Sequence, residues 1–86
     1  MTAPTVNRDE VRARLRDLLS ETLDDGDVVL NDATTAHDVA GWDSLAHLKL
    51  LVAIEGAWRI KFAIAELAAP RDVGELVDLI VRKAGS

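Results

Sequence analysis

Three side chains able to do chemistry stand close together in the stretch Gly41-Trp42-Asp43-Ser44-Leu45-Ala46-His47. Ser44 and His47 are three apart, so on a helix their side chains share a face. With Asp43 adjacent, the residue types are those of a Ser-His-Asp hydrolase. That chemistry also needs an oxyanion hole, and a carboxylate placed behind the imidazole. A triad crowded into consecutive residues cannot easily put its third member there, and the sequence has no Gly-x-Ser-x-Gly elbow. No catalytic group is therefore assigned, and His47 is expected to be a partly exposed helix residue. His37 and His47, with Asp38 and Asp43, show no recognised ligand spacing, so no metal site is expected either. Two roles remain for Ser44. It can satisfy free N–H groups in the first turn of a helix. It can also present a hydroxyl where the positive end of a helix favours a phosphate ester.

The elements around Ser44 decide what it can serve. Asn7 is an N-cap with Glu10 placed for a capping box and Val6 and Val11 for a hydrophobic staple. Val11, Leu15, Leu18, Leu19 and Leu23 then recur at helical spacing, and Asp24-Asp25-Gly26 ends the helix. Residues 24–43 form a connection longer than compact domains ordinarily use. Val28, Val29, Leu30, Val39 and Trp42 are its expected anchors, with Thr34, Thr35 and Asp38 as local capping groups. Asp43 caps a second helix running from Asp43 or Ser44 to about Trp58, with Gly56 marking its frayed end. Leu45, Leu48, Leu50, Leu51, Val52 and Ile54 run around most of that helix. It is either central in the core or shows spare apolar surface to a partner. One or two helical turns are expected over Ala63–Leu67, closed before Pro70. Asp72 and Glu75 open a last helix with Val73, Leu76, Val77, Ile80 and Val81 buried; Arg82 and Lys83 suit its C-terminal end and Gly85 its stop. The sum is an all-α, four-helix bundle of three longer helices and one short one, with a long loop between the first two. Residues 1–6 are expected to be a flexible tail, 7–84 the domain and 85–86 a C-terminal tail.

The chain has 86 residues, no cysteine and a net charge of −5. One domain is expected, with no disulfide and no thiolate metal site. Residues 24–43 hold Asp24, Asp25, Asp27, Asp32, Asp38 and Asp43 without a single Lys or Arg. Such a segment repels polyanions, so no nucleic-acid partner is expected, and it attracts basic surfaces. The longest fully apolar run, Leu50–Ile54, is too short to span a bilayer, and the first residues lack the pattern of a secretory signal. A soluble, cytoplasmic monomer with no membrane partner is expected.

The chain as a whole resembles the acyl carrier proteins, the helical phosphopantetheine-bearing domains of fatty acid, polyketide and related biosynthesis. Asp43-Ser44-Leu45 matches the attachment motif. Leu48, Leu51, Val52, Ile54, Glu55, Trp58, Ile60 and Phe62 match the run that follows it. Gly41-Trp42 resembles the lead-in to the serine, and Asp72-Val73-Gly74-Glu75-Leu76-Val77 the start of the last helix. The resemblance covers about residues 7–84. It implies that Ser44 receives 4′-phosphopantetheine from coenzyme A, through a phosphopantetheinyl transferase working with magnesium, with Asp43 helping to place metal or enzyme and Leu45 completing the motif. The arm's thiol would carry acyl groups between acyl-loading and acyl-accepting enzymes, with no catalysis by the chain itself.

The chain also departs from the family pattern. Lys49 stands where an acid is common, Gly56 replaces an acid, and Trp58-Arg59 replaces the usual Phe-Gly. These changes argue for a specialised pathway, such as polyketide or other secondary metabolism, over central fatty acid synthesis. Partner recognition is expected at Trp42, His47, Leu48 and Lys49, with the aspartates of 24–43 sharing it; Trp42 has a competing role as a packing anchor. An aminoacyl or peptidyl carrier, and a helical interaction module with Ser44 unmodified, are the alternatives.

Overall fold

A computed structural model describes residues 7–85. The expected N-terminal tail, the Val6 half of the staple and Ser86 lie outside those residues. Three α-helices, α1 (Arg8–Leu23), α2 (Ser44–Trp58) and α3 (Val73–Ala84), make up the body, with single 3₁₀ turns at Ala36–Asp38 and Ile64–Glu66. Both α2 and α3 pack on α1. Among the described residues there is no strand, and no helix is long and apolar enough to cross a membrane.

Each helix starts where a side chain meets its free N–H groups. Asn7 accepts from the Asp9 N–H at 2.8 Å; among the described residues no bond returns from Glu10, so only half of the expected box forms. Asp43 accepts from Ala46 and Asp72 from Glu75, each at 2.9 Å. Glu75 reaches back to the Arg71 N–H, one residue beyond the cap. Val11, Leu15 and Leu19 put one stripe of α1 into the core, against Leu50, Leu51 and Ile54 of α2 and Val73, Leu76, Val77 and Ile80 of α3.

One helix end differs from expectation. α2 runs through Gly56, which has open space around it, and stops at Arg59, held in the left-handed region at φ 56°. Asp24 does the same after α1 at φ 53°. α3 ends at Gly85 as expected, with right-handed angles and its N–H donated to the Val81 carbonyl.

The short fourth helix is a single 3₁₀ turn. Ile64 is 88% exposed and only Leu67 of the segment packs on the core, too little burial to offset the cost of nucleating a longer helix. Its neighbours hold it in place: the Phe62 N–H donates to Glu55, and Glu66 accepts from the Ala63 N–H and pairs with Lys83 at 2.7 Å. Among the described residues the bundle is thus three longer helices with the expected short element reduced to one turn.

The long loop is ordered by arginines from α1. Arg16 donates from Nε to the Val28 carbonyl and from Nη2 to that of Gly26. Arg8 and Arg12 both bind Asp32, and Arg8 also reaches Asp78 on α3. The loop in turn closes the start of α3: the Val73 N–H donates to the Thr34 carbonyl and the Gly74 N–H to that of Asp32, each at 2.8 Å. A Cβ on Gly74 would meet Asp32 at 3.0 Å, tighter than such contacts ordinarily are, so glycine eases the close approach. Val28 and Trp42 are buried anchors and Leu30 and Val39 are partly buried, whereas Val29, also expected to anchor, is 79% exposed. In extended backbone successive side chains point to opposite sides, so Val28 and Val29 cannot both face the core.

Candidate functional site around Ser44

Gly41, at φ 86°, turns the chain so that Trp42 enters the core while Asp43 and Ser44 stay at the surface. Ser44 is the first residue of α2 and is exposed. The cap bond from Asp43 fixes the helix start, and with it the place of the hydroxyl. The free N–H groups of the first turn give that place a positive local field.

Trp42 is 7% exposed and donates its indole N–H to His47 Nδ1 at 3.1 Å, with the ring centroids 5.9 Å apart. That bond occupies Nδ1, so the neutral imidazole carries its proton on Nε2. It also decides against the hydrolase arrangement. His47 is engaged by Trp42, Asp43 is engaged by the helix end, and among the described residues no hydrogen bond joins Ser44 to His47. Trp42 is thus a packing anchor that also lines the hollow beside Ser44. Among the described residues no cluster of His, Asp and Glu could hold a metal ion.

Two hollows flank the serine. A cavity of about 590 Å³ lies between the Ala36–Asp38 turn, the start of α2 and the segment leading into α3; His37, Trp42, Ser44, His47, Arg71 and Leu76 are among its walls. A shallower hollow of about 250 Å³ lies on the other side, between Leu23, Gly41, Leu45 and Lys49. Leu48 lines neither and projects into solvent at 54% exposure. With Leu45 at 62% and Val52 at 65%, it forms an exposed apolar stripe along α2. Of the two possibilities for the apolar excess of α2, spare surface is the one realised.

Of the expected residues, Trp42, Asp43, Ser44 and His47 come together at the cavity, and Leu45 and Lys49 at the second hollow. Arg71 and Leu76 were not foreseen at the site. The only signal for them was their position around the Asp72 cap, which brings the α3 start opposite that of α2. The acidic loop proves less available to partners than its composition suggests. Asp32 is paired with two arginines, and the Arg8 hydrogen bond holds its carboxyl below the usual range. Asp38 accepts from Thr35, Asp25 from the Asp27 N–H, and Asp43 caps α2.

No family model and no curated protein matches the chain. Among solved structures, it is similar to the solution NMR structure of a holo acyl carrier protein from Geobacter metallireducens. The identity is 37%, the TM-score 0.81, and the match covers 87% of this chain and 86% of the other. Likeness of that degree, over nearly the whole of both molecules, shows that the chain belongs to the acyl carrier protein family.

Proposed function

We propose that residues 7–84 form a carrier domain that bears acyl intermediates on a 4′-phosphopantetheine arm attached at Ser44, in polyketide or other specialised biosynthesis. The observation that carries this reading is the exposed Ser44 hydroxyl at the capped start of α2, beside a cavity of about 590 Å³. The surroundings fit such an arm: an accessible oxygen to esterify, first-turn N–H groups near a phosphodiester, and an adjoining wall for an amide-containing chain. When bound, the arm supplies a terminal thiol that holds an acyl group as a thioester, which a chain without cysteine cannot otherwise offer.

The protein's own residues present and orient. Asp43 fixes the first turn through its bond to the Ala46 N–H, and so holds the Ser44 hydroxyl out for a transferase. Leu45, Leu48 and Val52 offer an apolar docking face to the transferase and to acyl-handling enzymes, and Lys49 adds a cation beside it. Glu55, the one acid of α2, is occupied by the Phe62 N–H. This apolar and basic α2 surface supports a specialised set of partners. The chain is a carrier and not a catalyst.

Intact mass after incubation with coenzyme A, magnesium and a broad-range phosphopantetheinyl transferase tests the proposal. One phosphopantetheinyl group is expected on the parent and none on Ser44→Ala. No gain on a well-folded parent would leave Ser44 a capping-turn residue and the chain a helical interaction module.

A further inference from the structure

Of the apolar residues in 24–43, Val28 and Trp42 are buried, and Trp42 is the one beside Ser44. Its backbone N–H donates to the Val39 carbonyl at 3.2 Å, and Gly41 turns the chain just before it. The indole carries one polar group, the Nε1–H. A buried donor left without an acceptor costs more than an ordinary hydrogen bond returns. Here the acceptor is His47 Nδ1, at 3.1 Å, and among the described residues the indole has no other.

A histidine accepts at Nδ1 only while that nitrogen is unprotonated, and the charged imidazole donates from both nitrogens. Protonation of His47 therefore sets two N–H groups against each other and takes away the indole's partner. Imidazoles are the side chains that ordinarily change charge between pH 5 and 8. The chain has two, His37 and His47, and no cysteine. The groups around His47 give a charged ring somewhere to turn. Across the cavity stand His37 on the Ala36–Asp38 turn and Arg71 and Asp72 on the segment into α3, with Asp43 at the start of its own helix. α1 contributes no residue to this cavity, and Lys49 lies at the other hollow. Arg71, and His37 once charged, repel an imidazolium, whereas the two carboxylates attract it. Asp43 and Asp72 each spend one oxygen on a helix N–H at 2.9 Å, and among the described residues the second oxygen has no partner.

We infer that Trp42 and His47 form a proton-operated latch on the segment leading into Ser44: neutral His47 holds the indole in the core, and protonation of His47 releases it. His47 is then a positioning residue that acts through Trp42. Trp42 stands two residues before Ser44, so its release loosens the chain that presents the hydroxyl. The latch goes beyond the carrier reading and does not depend on modification of Ser44.

The test uses the unmodified full chain and NMR between about pH 7.5 and pH 5.5, across the ordinary imidazole range. Solvent exchange of the Trp42 indole N–H is compared with that of the Trp58 indole in the same sample, beside the ring signals of His37 and His47. Protection of Trp42 relative to Trp58 should fall about tenfold, in step with the His47 ring signals, as expected for loss of one hydrogen bond. The Gly41 and Ser44 amide signals should move with it. His47→Asn places a carbonyl oxygen about where Nδ1 stands and takes up no proton, so it should keep the bond and abolish the pH dependence. His47→Leu, with no acceptor, should leave Trp42 unprotected throughout the range. His37→Asn should leave the Trp42 profile unchanged. Protection that persists while the His47 ring becomes charged would overturn the inference, since the imidazolium would then stay against the indole. A profile that follows His37, or that survives in His47→Asn, would overturn it as well. The parent and His47→Asn profiles decide the matter even where His47→Leu does not fold.

Discussion

α2 and α3 both pack on α1, yet they spend their apolar residues differently. α3 buries Val73, Leu76, Val77, Leu79 and Ile80 and turns Glu75, Asp78 and Arg82 outward. α2 buries Ala46, Leu50, Leu51 and Ile54 and still leaves Leu45, Leu48 and Val52 in solvent. Burial of such side chains is what holds a domain of this size together, so apolar groups left outside contribute little to stability. The contrast separates scaffold from working surface. α3 is a support whose pattern is accounted for by the fold, and α2 carries a surplus that the fold does not use.

The sharpest break of that comparison sets a core residue of α3 against the α2 stripe. Ile80→Ala removes a side chain with no exposed surface and should cost about 2–5 kcal/mol in urea unfolding followed by circular dichroism. Leu48→Ala or Val52→Ala should stay within about 0.5 kcal/mol of the parent, while lowering kcat/KM of the transferase for the chain. A Val52→Ala cost near that of Ile80→Ala would place Val52 in the scaffold and remove the distinction.

The two caps sharpen it. Asp72→Ala and Asp43→Ala should each lose about 1 kcal/mol, because each carboxylate meets a first-turn N–H of its helix. Only Asp43→Ala should also slow modification of Ser44, read as mass gain against time. Equal rates for both variants would mean that the α2 start does not present the hydroxyl.

A similar effect of opposite sign is expected at the far end of α2. Arg59→Gly should stabilise by about 0.5–1 kcal/mol, since a non-glycine residue in the left-handed region is strained. Gly56→Ala should add about 1 kcal/mol, as its Cβ would point into open space within the helix. Loss of stability in either would show that the end of α2 is held differently.

The smallest effect concerns the ion pairs, which serve α1, α3 and the loops. The Arg8 hydrogen bond lowers Asp32 from its ordinary 3.8, and the Lys83 bond, with the Ala63 N–H, lowers Glu66 from 4.5. Both carboxyls are lowered in the fold, so the stability they contribute is complete above their ordinary values and is lost as pH falls through the lower folded ones. The urea midpoint should therefore start to fall below about pH 4.5. Arg8→Met with Lys83→Met should flatten that fall; an unchanged acid profile would show that the pairs contribute nothing.

Much of the chain was legible before its fold was known. The caps at Asn7, Asp43 and Asp72 and the apolar spacing of α1 and α3 depend on residues within one or two turns of each other. They could be read locally, and Ser44 at the start of α2 followed from them. The role of Arg8, Arg12 and Arg16, which stand off the apolar stripe of α1, could not be read in the same way. Their partners, Asp32 and the Val28 and Gly26 carbonyls, lie across a loop whose path no local rule supplies. The short helical element at Ala63–Leu67 was also legible; that it stops at a single 3₁₀ turn was not, because only the fold shows that Ile64 has nothing to pack on.

The amino-acid sequence by itself determined where the helices begin, which serine stands at the start of α2, and that α2 holds more apolar surface than one face can bury. Tertiary structure alone decided which face that is, because a helix apolar nearly all round does not select its own buried side and α1 selects it by packing. It also decided that Trp42 binds His47, that the starts of α2 and α3 flank a cavity, and that Arg71 stands at its rim. Each of those depends on bringing together residues distant along the chain, and the burial of α1's stripe is what brings them there.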